Sequence, residues 1–493
     1  MSAMPGHGGT ALQQWFAQID WLAVLIALWP LVAVFAAGHA LLRKRDARAA
    51  WGWIAVCWLF PLAGPLLYFF FGINRIRTRA RRYAANRGGR EIGPAHAHDA
   101  RNRPPGHPPL PPWLEEVART ADVLTRRPLL GGNAIEALHN GEQAFPRMLQ
   151  AIATAREVIW LASYLFDNDT SGRAFADALI AAQRRGVQVR VLLDDVGERY
   201  SLPRIGRRLK RGGVPFARFN PLRIVPPSLH LNLRNHRKLL LVDHERAFTG
   251  GMNISARHCV SDPRNRHPTV DLHFELRGPI VRQMAEVFAD DWAFTTHERL
   301  AVPPTEVGYG GAPVCRVITD GPNEDLDQLN FVLQSAIAAA RREILIMTPY
   351  FLPSAELIAA LQGAALRGVR TVVLLPAKNN LPYVDWAARH QLDHLLERGV
   401  RVRFQPGPFS HAKMLVIDGA YTMIGSANWD PRSLLLNFEL NVEIYDGAFA
   451  QRMAVHFAEL WQRADELLLR DARHPPFARR LRNALCWLFS PYL

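Results

Sequence analysis

The sequence predicts an α/β protein. Two homologous α/β halves follow an apolar N-terminal region with transmembrane helices. Three observations predict this. A strand–helix–strand pattern occurs twice, a His-x-Lys-x4-Asp motif occurs once in each copy, and two long apolar runs precede both. The length of 493 residues exceeds one small core and fits two or three structural units. Hydrophobic residues make up 49%, so the chain as a whole is not disordered. A formal net charge of +15 selects anionic partners: nucleic acid, anionic lipid or phosphorylated substrates. It equally fits the basic flanks of a membrane protein. Cys57, Cys259, Cys315 and Cys486 lie far apart without a C-x-x-C pair, which argues against zinc or a disulfide framework.

Residues 1–82 form the membrane region, with apolar runs at about 21–42 and 50–72. Each is long enough to cross a hydrocarbon core. The first run has no basic segment ahead of it and no cleavage site after it, so it reads as an anchor rather than a leader. Arg43, Lys44, Arg45 and Arg48 follow the first run, and Arg75, Arg77, Arg79, Arg81 and Arg82 follow the second. The positive-inside rule places both basic segments in the cytoplasm, which two complete spans cannot do. Either the second run is re-entrant, bent near Pro61, Gly64 and Pro65, or the stronger distal cluster wins and the short loop is forced outside. The second arrangement is the expectation. Residues 83–112 are rich in Gly, Pro, Arg and His and form a linker, in which His96, His98 and His107 are solvated rather than metal-bound.

Residues 113–305 and 306–475 form the two halves, and 476–493 a basic and aromatic tail. Glu157-Val-Ile-Trp-Leu-Ala-Ser-Tyr164, a helical stretch and Arg185-Gly-Val-Gln-Val-Arg-Val-Leu-Leu193 are echoed later. The echo is Glu343-Ile-Leu-Ile-Met-Thr-Pro-Tyr350, a helix and Arg367-Gly-Val-Arg-Thr-Val-Val-Leu-Leu375. Such a unit demands a parallel pair with a crossover helix. Pro303, Pro304 and Gly308 to Gly311 mark the boundary.

The first half carries His236-Arg-Lys238-Leu-Leu-Leu-Val-Asp243 and, after six intervening residues, Gly250-Gly251-Met-Asn253. The second carries His411-Ala-Lys413-Met-Leu-Val-Ile-Asp418 and, at the same spacing, Gly425-Ser426-Ala-Asn428. Alternate residues of an extended segment share a face, so His236 points with Lys238 and His411 with Lys413. The glycines and asparagines that follow can approach a phosphate closely. A surface pair of this kind is common once; two copies at identical spacing within a longer repeat are not. Val270-Asp271-Leu-His273 aligns with Phe438-Glu439-Leu-Asn441. A carboxylate that accepts from one imidazole nitrogen frees the other for chemistry. The order along the chain assigns Asp271 to His236 and Glu439 to His411.

These motifs resemble the phospholipase D superfamily and, within it, the bacterial cardiolipin synthases. The resemblance extends to the segment from Trp51 to Arg79, to Thr348-Pro-Tyr-Phe-Leu-Pro353, to Gly425-Ser-Ala-Asn-Trp-Asp-Pro-Arg-Ser-Leu-Leu-Leu-Asn-Phe-Glu439 and to Ser490-Pro-Tyr-Leu493. Thr269, Val270 and Gly251 depart from the family pattern. The resemblance implies two halves, each a mixed sheet flanked by helices, that share one active site in a phosphatidyltransferase needing neither metal nor cofactor. Two phosphatidylglycerols would give cardiolipin and glycerol through a phosphohistidine. By analogy His236 is the nucleophile and His411 the acid and base. Lys238, Lys413, Asn253 and Asn428 would hold the non-bridging oxygens, and Asp243 and Asp418 would complete the motifs by supporting the fold. Phosphatidylglycerol and anionic lipids are the implied partners rather than nucleic acid. The implied location is the bacterial inner membrane, multi-pass, with the catalytic halves on the cytoplasmic side. Another lipid hydrolase or transphosphatidylase, a nuclease, and a non-enzymatic scaffold are the alternatives; intact His and Lys in both motifs argue against the last. Arg207, Arg208, Lys210 and Arg211 suit anionic headgroups, the tail suits an interface, and Tyr164 and Tyr350 suit a lipid channel.

Overall fold

The computed structural model describes residues 21–44, 47–60, 62–72, 110–221, 233–303, 313–321 and 327–490. The linker histidines and the arginines from Arg75 onward in that region lie outside them. The described chain divides into two compact units, Met1–Arg79 and Ala80–Leu493.

In the first unit, α1 (Trp21–Arg43) is followed by α2 (Ala47–Leu59) and α3 (Ala63–Leu67), which ends in a π turn at Tyr68–Gly72. The second apolar run is therefore not one continuous helix, a departure from the expected span. The sequence places Pro61 where the helix stops, and a proline cannot donate the backbone hydrogen bond and disfavours helix at the residue before it. Leu62 adopts φ 62° at the break. The 13 residues of α2 reach about 20 Å, short of the roughly 30 Å of a hydrocarbon core. Among the described residues, no helix is long and apolar enough to cross a membrane. Ala36, Ala40, Cys57 and Tyr68 form a small buried cluster within this unit.

In the second unit, the first half is a seven-stranded sheet. Its strands are β1 (Ala134–His139), β2 (Val158–Ser163), β3 (Gln188–Asp194), β4 (Phe216–Phe219), β5 (Leu239–Val242), β6 (Arg246–Gly250) and β8 (Leu272–Arg277), in the order β1-β8-β6-β5-β2-β3-β4. The stretch from β2 to β4 is parallel; the remaining pairs are antiparallel. The second half repeats the plan with β9 (Val314–Asp320), β10 (Glu343–Met347), β11 (Arg370–Pro376), β12 (Arg401–Gln405), β14 (Met414–Ile417), β15 (Tyr421–Gly425) and β16 (Glu439–Tyr445). A short edge strand, β17 (Asp465–Glu466), makes eight. The β2–β3 and β10–β11 pairs are parallel, as the βαβ pattern requires.

Each sheet is coated on its faces by helices. In the first half these are α5 (Asn140–Thr154), α6 (Thr170–Arg184) and α8 (Ile280–Thr296), with a short α7 (Gly206–Arg211) after β3. The helix α4 (Pro112–Thr125) behaves otherwise. The sequence groups it with the first half, yet Leu114, Val117, Ala118 and Ala121 pack in the second half's core against Leu333, Ala336 and Ile337. Its apolar stripe carries no signal of which sheet it covers.

The halves face one another. The two-residue strand β7 (Thr269–Val270) pairs in parallel with β13 (Phe409–Ser410), one from each half. Asn235 bridges to Phe438 in the same manner. Phe438 also packs between Phe219 and Phe294, with ring centroids 4.9 Å and 6.0 Å away. Arg237 crosses the seam, donating to the Glu439 carbonyl at 3.0 Å while pairing with Asp291 at 2.6 Å.

Candidate active site

His236 and Lys238 lie in the extended segment leading into β5, and His411 and Lys413 in the equivalent segment leading into β14. All four are buried. The backbone places them at the seam: the His236 amide donates to the Phe438 carbonyl at 2.9 Å, and the His411 amide to the Val270 carbonyl at 2.7 Å. Each of these carbonyls directly precedes a carboxylate residue. In consequence the carboxylates cross over. His236 Nδ1 is 3.0 Å from Glu439, and His411 Nδ1 is 2.9 Å from Asp271. The assignment from chain order is corrected: each half's carboxylate orients the other half's imidazole.

The arrangement fixes Nδ1–H on the carboxylate and leaves Nε2 of both rings for chemistry. Burial, with opposition from Glu439, draws the His236 imidazole down to about 4. Burial and the charge of Lys413 draw His411 down to about 3 against Asp271. Burial also raises both carboxyls, but hydrogen bonds and charges from the histidines and lysines override it and hold Asp271 and Glu439 below the usual range. Lys238 is pulled to about 7 and Lys413 to about 8, chiefly by burial. Lys413 acts on His236 and Lys238 acts on His411, so the four groups converge across the seam. Lys238 Nζ donates to the His236 carbonyl at 2.7 Å, and Lys413 Nζ donates to the His411 carbonyl. Each ammonium keeps further protons for an anion.

Asp243 and Asp418 are elsewhere. Asp243 accepts from the amides of Arg156, Glu157 and Val158 at 2.9, 2.8 and 3.0 Å, at the start of β2. Asp418 accepts from Arg341, Arg342 and Glu343, each at 2.8 Å, at the start of β10. Antiparallel pairing puts these ends opposite the histidines, so both aspartates pin strands and touch no reacting group. Both sit at φ 52° in a hairpin turn, a conformation Asp tolerates. They belong to the motifs that carry the catalytic residues His236, Lys238, His411 and Lys413, but by these contacts they stand outside the catalytic group.

Gly250 and Gly425 also serve the fold. A Cβ on Gly250 would lie 2.7 Å from the Leu272 carbonyl, and one on Gly425 2.4 Å from that of Leu440, so these glycines let adjacent strands meet. Gly251 differs from its counterpart Ser426. The Ser426 hydroxyl donates to Glu439, whereas a Cβ on Gly251 would come within 2.3 Å of Asp271 Oδ1. The carboxylate of the first half fills the space that a side chain would take. Asn253 Oδ1 accepts from the Leu165 amide at 3.1 Å, and Asn428 Nδ2 donates to Ser433 Oγ at 3.1 Å. Asn428 Oδ1 is buried without a partner among the described residues.

Other residues carry no motif that marks them. Buried His258 binds the Asn253 amide through Nε2 at 3.3 Å and the Thr269 carbonyl through Nδ1 at 3.2 Å. Asp194, at the end of β3, accepts from the amides of Val196, Gly197 and Asn235, each at 3.0 Å, which holds the segment before His236. Burial pushes its carboxyl up to about 6 against the Arg234 charge. The only sequence signal is an Asp pair closing an apolar strand. Tyr164 stands edge-on to His236, with ring centroids 5.1 Å apart, and Tyr350 edge-on to His411 at 6.4 Å. The two tyrosines flank the histidines as a mouth.

The model for the family described as "Cardiolipin synthase, PLD-like domain" matches residues 148–292 and 333–461. The chain belongs to this family. A phospholipase D-nuclease N-terminal model matches residues 25–72. The chain is similar to the major cardiolipin synthase of Bacillus subtilis, 29% identical over 96% of this chain and 99% of that one. It is 32% identical to cardiolipin synthase A of Pseudomonas aeruginosa, over 96% of each. Among solved structures it resembles the phosphatidylserine synthase of Haemophilus influenzae, with a TM-score of 0.59 and 15% identity, covering 76% of this chain and 100% of that one. That last likeness concerns the fold alone.

Proposed function

We propose that the chain is a cardiolipin synthase that transfers a phosphatidyl group from one phosphatidylglycerol to the glycerol hydroxyl of another. The crossed pair of buried His–carboxylate dyads is the observation that supports the reading best. Nε2 of His236 attacks phosphorus, a P–N bond forms, and the P–O bond to glycerol breaks. His411, protonated, gives that oxygen its proton. The incoming lipid's hydroxyl then returns a proton to His411 and attacks phosphorus, and the P–N bond breaks. Two phosphatidylglycerols thus yield cardiolipin and glycerol with all protons accounted for.

Burial keeps both imidazoles depressed and neutral. An entering phosphodiester anion offsets the two lysine charges and keeps both ammoniums protonated. It also raises His411, so the acid acquires its proton together with its substrate. Lys238 and Lys413 hold the non-bridging oxygens, and Asn253 and Asn428 supply support.

The membrane reading rests on the first unit. Leu31, Phe35, Leu42, Trp51 and Leu59 are exposed there by 65% or more, which suits a lipid solvent. We take α1 as the anchor and the broken α2–α3 segment as re-entrant. That puts both basic clusters, and the catalytic halves, on the cytoplasmic side, and removes the contradiction of two complete spans. Labelling of Asp46→Cys from the cytoplasmic side alone is the expected result; labelling from the periplasm alone sinks the re-entrant arrangement. The tail forms a helix over Phe477–Leu488 whose Arg482 lies 4.1 Å from the Trp386 ring. Phe477, Leu481, Leu485 and Leu488 remain exposed at helical spacing, as in an interfacial helix.

The deciding experiment is product analysis in vesicles containing phosphatidylglycerol alone. Cardiolipin plus glycerol, lost in His236→Ala and in His411→Ala, is expected. Phosphatidic acid as the sole product would make the protein a hydrolase instead.

A further inference from the structure

Between α6 and α7 the first half holds a surface cavity of about 880 Å³. That volume lies in the range of ligand sites, about 300–1,000 Å³. Arg173, Arg184, Arg204, Arg207, Arg208 and Arg211 line it, against one carboxylate, Asp177. Six positive charges less one negative leave +5 around the cavity. Asp177 engages Arg208 through both oxygens at 2.7 Å. Arg204 leans on Asp195 at 3.8 Å, and Arg173 donates to the Asn168 carbonyl at 2.9 Å. Arg184, Arg207 and Arg211 face the cavity without an acidic partner among the described residues. Unpaired guanidiniums that line one cavity repel, and an anion with several oxygens relieves the repulsion by bidentate hydrogen bonds.

The wall is built rather than loose. Asn168 donates its amide to Ser201 Oγ and its side chain to the Pro203 carbonyl, both at 2.8 Å. The pinned segment, Tyr200 to Arg204, also reaches the mouth of the site. Gly197, in the turn Gly197–Tyr200 that leads into it, packs against Tyr164, whose backbone carbonyl and ring a Cβ at that glycine would meet. At the rim Leu202 is 79% exposed, and Tyr200, two residues before it in the chain, is 71% exposed. Cationic walls, an apolar rim and the adjacent mouth match the two ends of a phospholipid, a phosphodiester joined to an acyl-bearing glycerol.

We infer that this cavity is a second phospholipid site, which seats the phosphodiester headgroup of an anionic lipid beside the catalytic mouth. The anion chemistry stands on the arginines; the purpose, holding a lipid ready for the histidines, rests on the phosphatidyl-transfer reading.

The test uses the full chain in neutral-detergent micelles, made unable to turn over by His411→Ala, and titrates it calorimetrically with short-chain phosphatidylglycerol. Two lipids per chain are expected. Adding Arg207→Gln and Arg211→Gln should leave one, with the other weakened at least tenfold. Asp177→Asn, which frees Arg208, should tighten the second site several-fold. Two undiminished sites in the arginine variant would overturn the inference. So would inorganic phosphate competing for the second site as well as the lipid does, which would make it a free-phosphate site. In the active chain, the arginine variant should raise the half-saturating surface fraction of phosphatidylglycerol about tenfold, with the maximal rate within twofold. Two bound lipids without any turnover by the unaltered chain would sink the synthase reading and leave the seat standing.

Discussion

Replacing Asp271 by Asn tests the crossed dyads. The substitution keeps the shape but removes the charge that faces His411 Nδ1 at 2.9 Å, inside a pair shielded from water. A hydrogen bond to a charged group is worth roughly 1.5–3 kcal/mol, or about 10- to 150-fold in rate. An amide that turns its NH2 toward Nδ1 also selects the wrong tautomer, which costs about 10⁴-fold in the serine-protease triad. The expected loss of turnover lies between these limits. The assay compares two lipid phosphodiesters, one with glycerol as leaving group and one with nitrophenol, which departs without a proton. A histidine acting as acid is dispensable for release of nitrophenol; a nucleophile is not. Asp271→Asn should therefore copy the leaving-group profile of His411→Ala, and Glu439→Gln that of His236→Ala. This holds whichever histidine is the nucleophile. If Asp271→Asn instead copies His236→Ala, the crossed pairing is wrong.

Three further outcomes follow from the geometry. Asp418→Ala removes the acceptor of three backbone amides and should cost on the order of 2–4 kcal/mol in denaturant unfolding, with turnover per folded molecule within about threefold. An equal loss of turnover at full stability would return it to the chemistry. Gly251→Ser puts a Cβ within 2.3 Å of Asp271 and should lower turnover more than tenfold, whereas Ser426→Gly, which loses one hydroxyl donor to Glu439, should cost about fivefold; steady-state rates of the two variants rank them. For pH, His236, His411 and His273 sit at about 4, 3 and 3 when folded, below the ordinary value of 6.5. Between pH 6.5 and 4 these three histidines bind more protons in the unfolded chain, so their contribution to stability falls as pH falls, by up to ~1.4 kcal/mol per pH unit for each histidine, and outweighs the opposing Asp194 and Asp430, each raised to about 6. An unfolding midpoint unchanged from pH 7 to pH 5 would contradict their burial.

Much of the fold is legible in the sequence because it is local. Apolar runs such as Val191 to Leu193 and Val372 to Leu375 are buried on both faces in parallel strands, and a parallel pair must carry its crossover helix in sequence. Histidine and lysine two residues apart in an extended segment share a face in any tertiary context. The repeat therefore discloses the two halves and the site's four basic groups. It does not disclose which carboxylate meets which imidazole. Asp271 and Glu439 occupy equivalent places in the repeat, and equivalence is blind to whether a contact stays within a half or crosses to the other. The crossing is decided by two backbone hydrogen bonds at the seam, from His236 to Phe438 and from His411 to Val270, each of which delivers the next residue's carboxylate to the partner half. The placement of α4 on the second sheet is decided likewise by a surface that exists only after folding. The motif aspartates illustrate the same limit: constant spacing shows that Asp243 and Asp418 matter, and only the antiparallel register shows that they act on strand ends. Sequence determines what a residue can do and which neighbours share its element. Packing between elements distant in the chain determines what it meets.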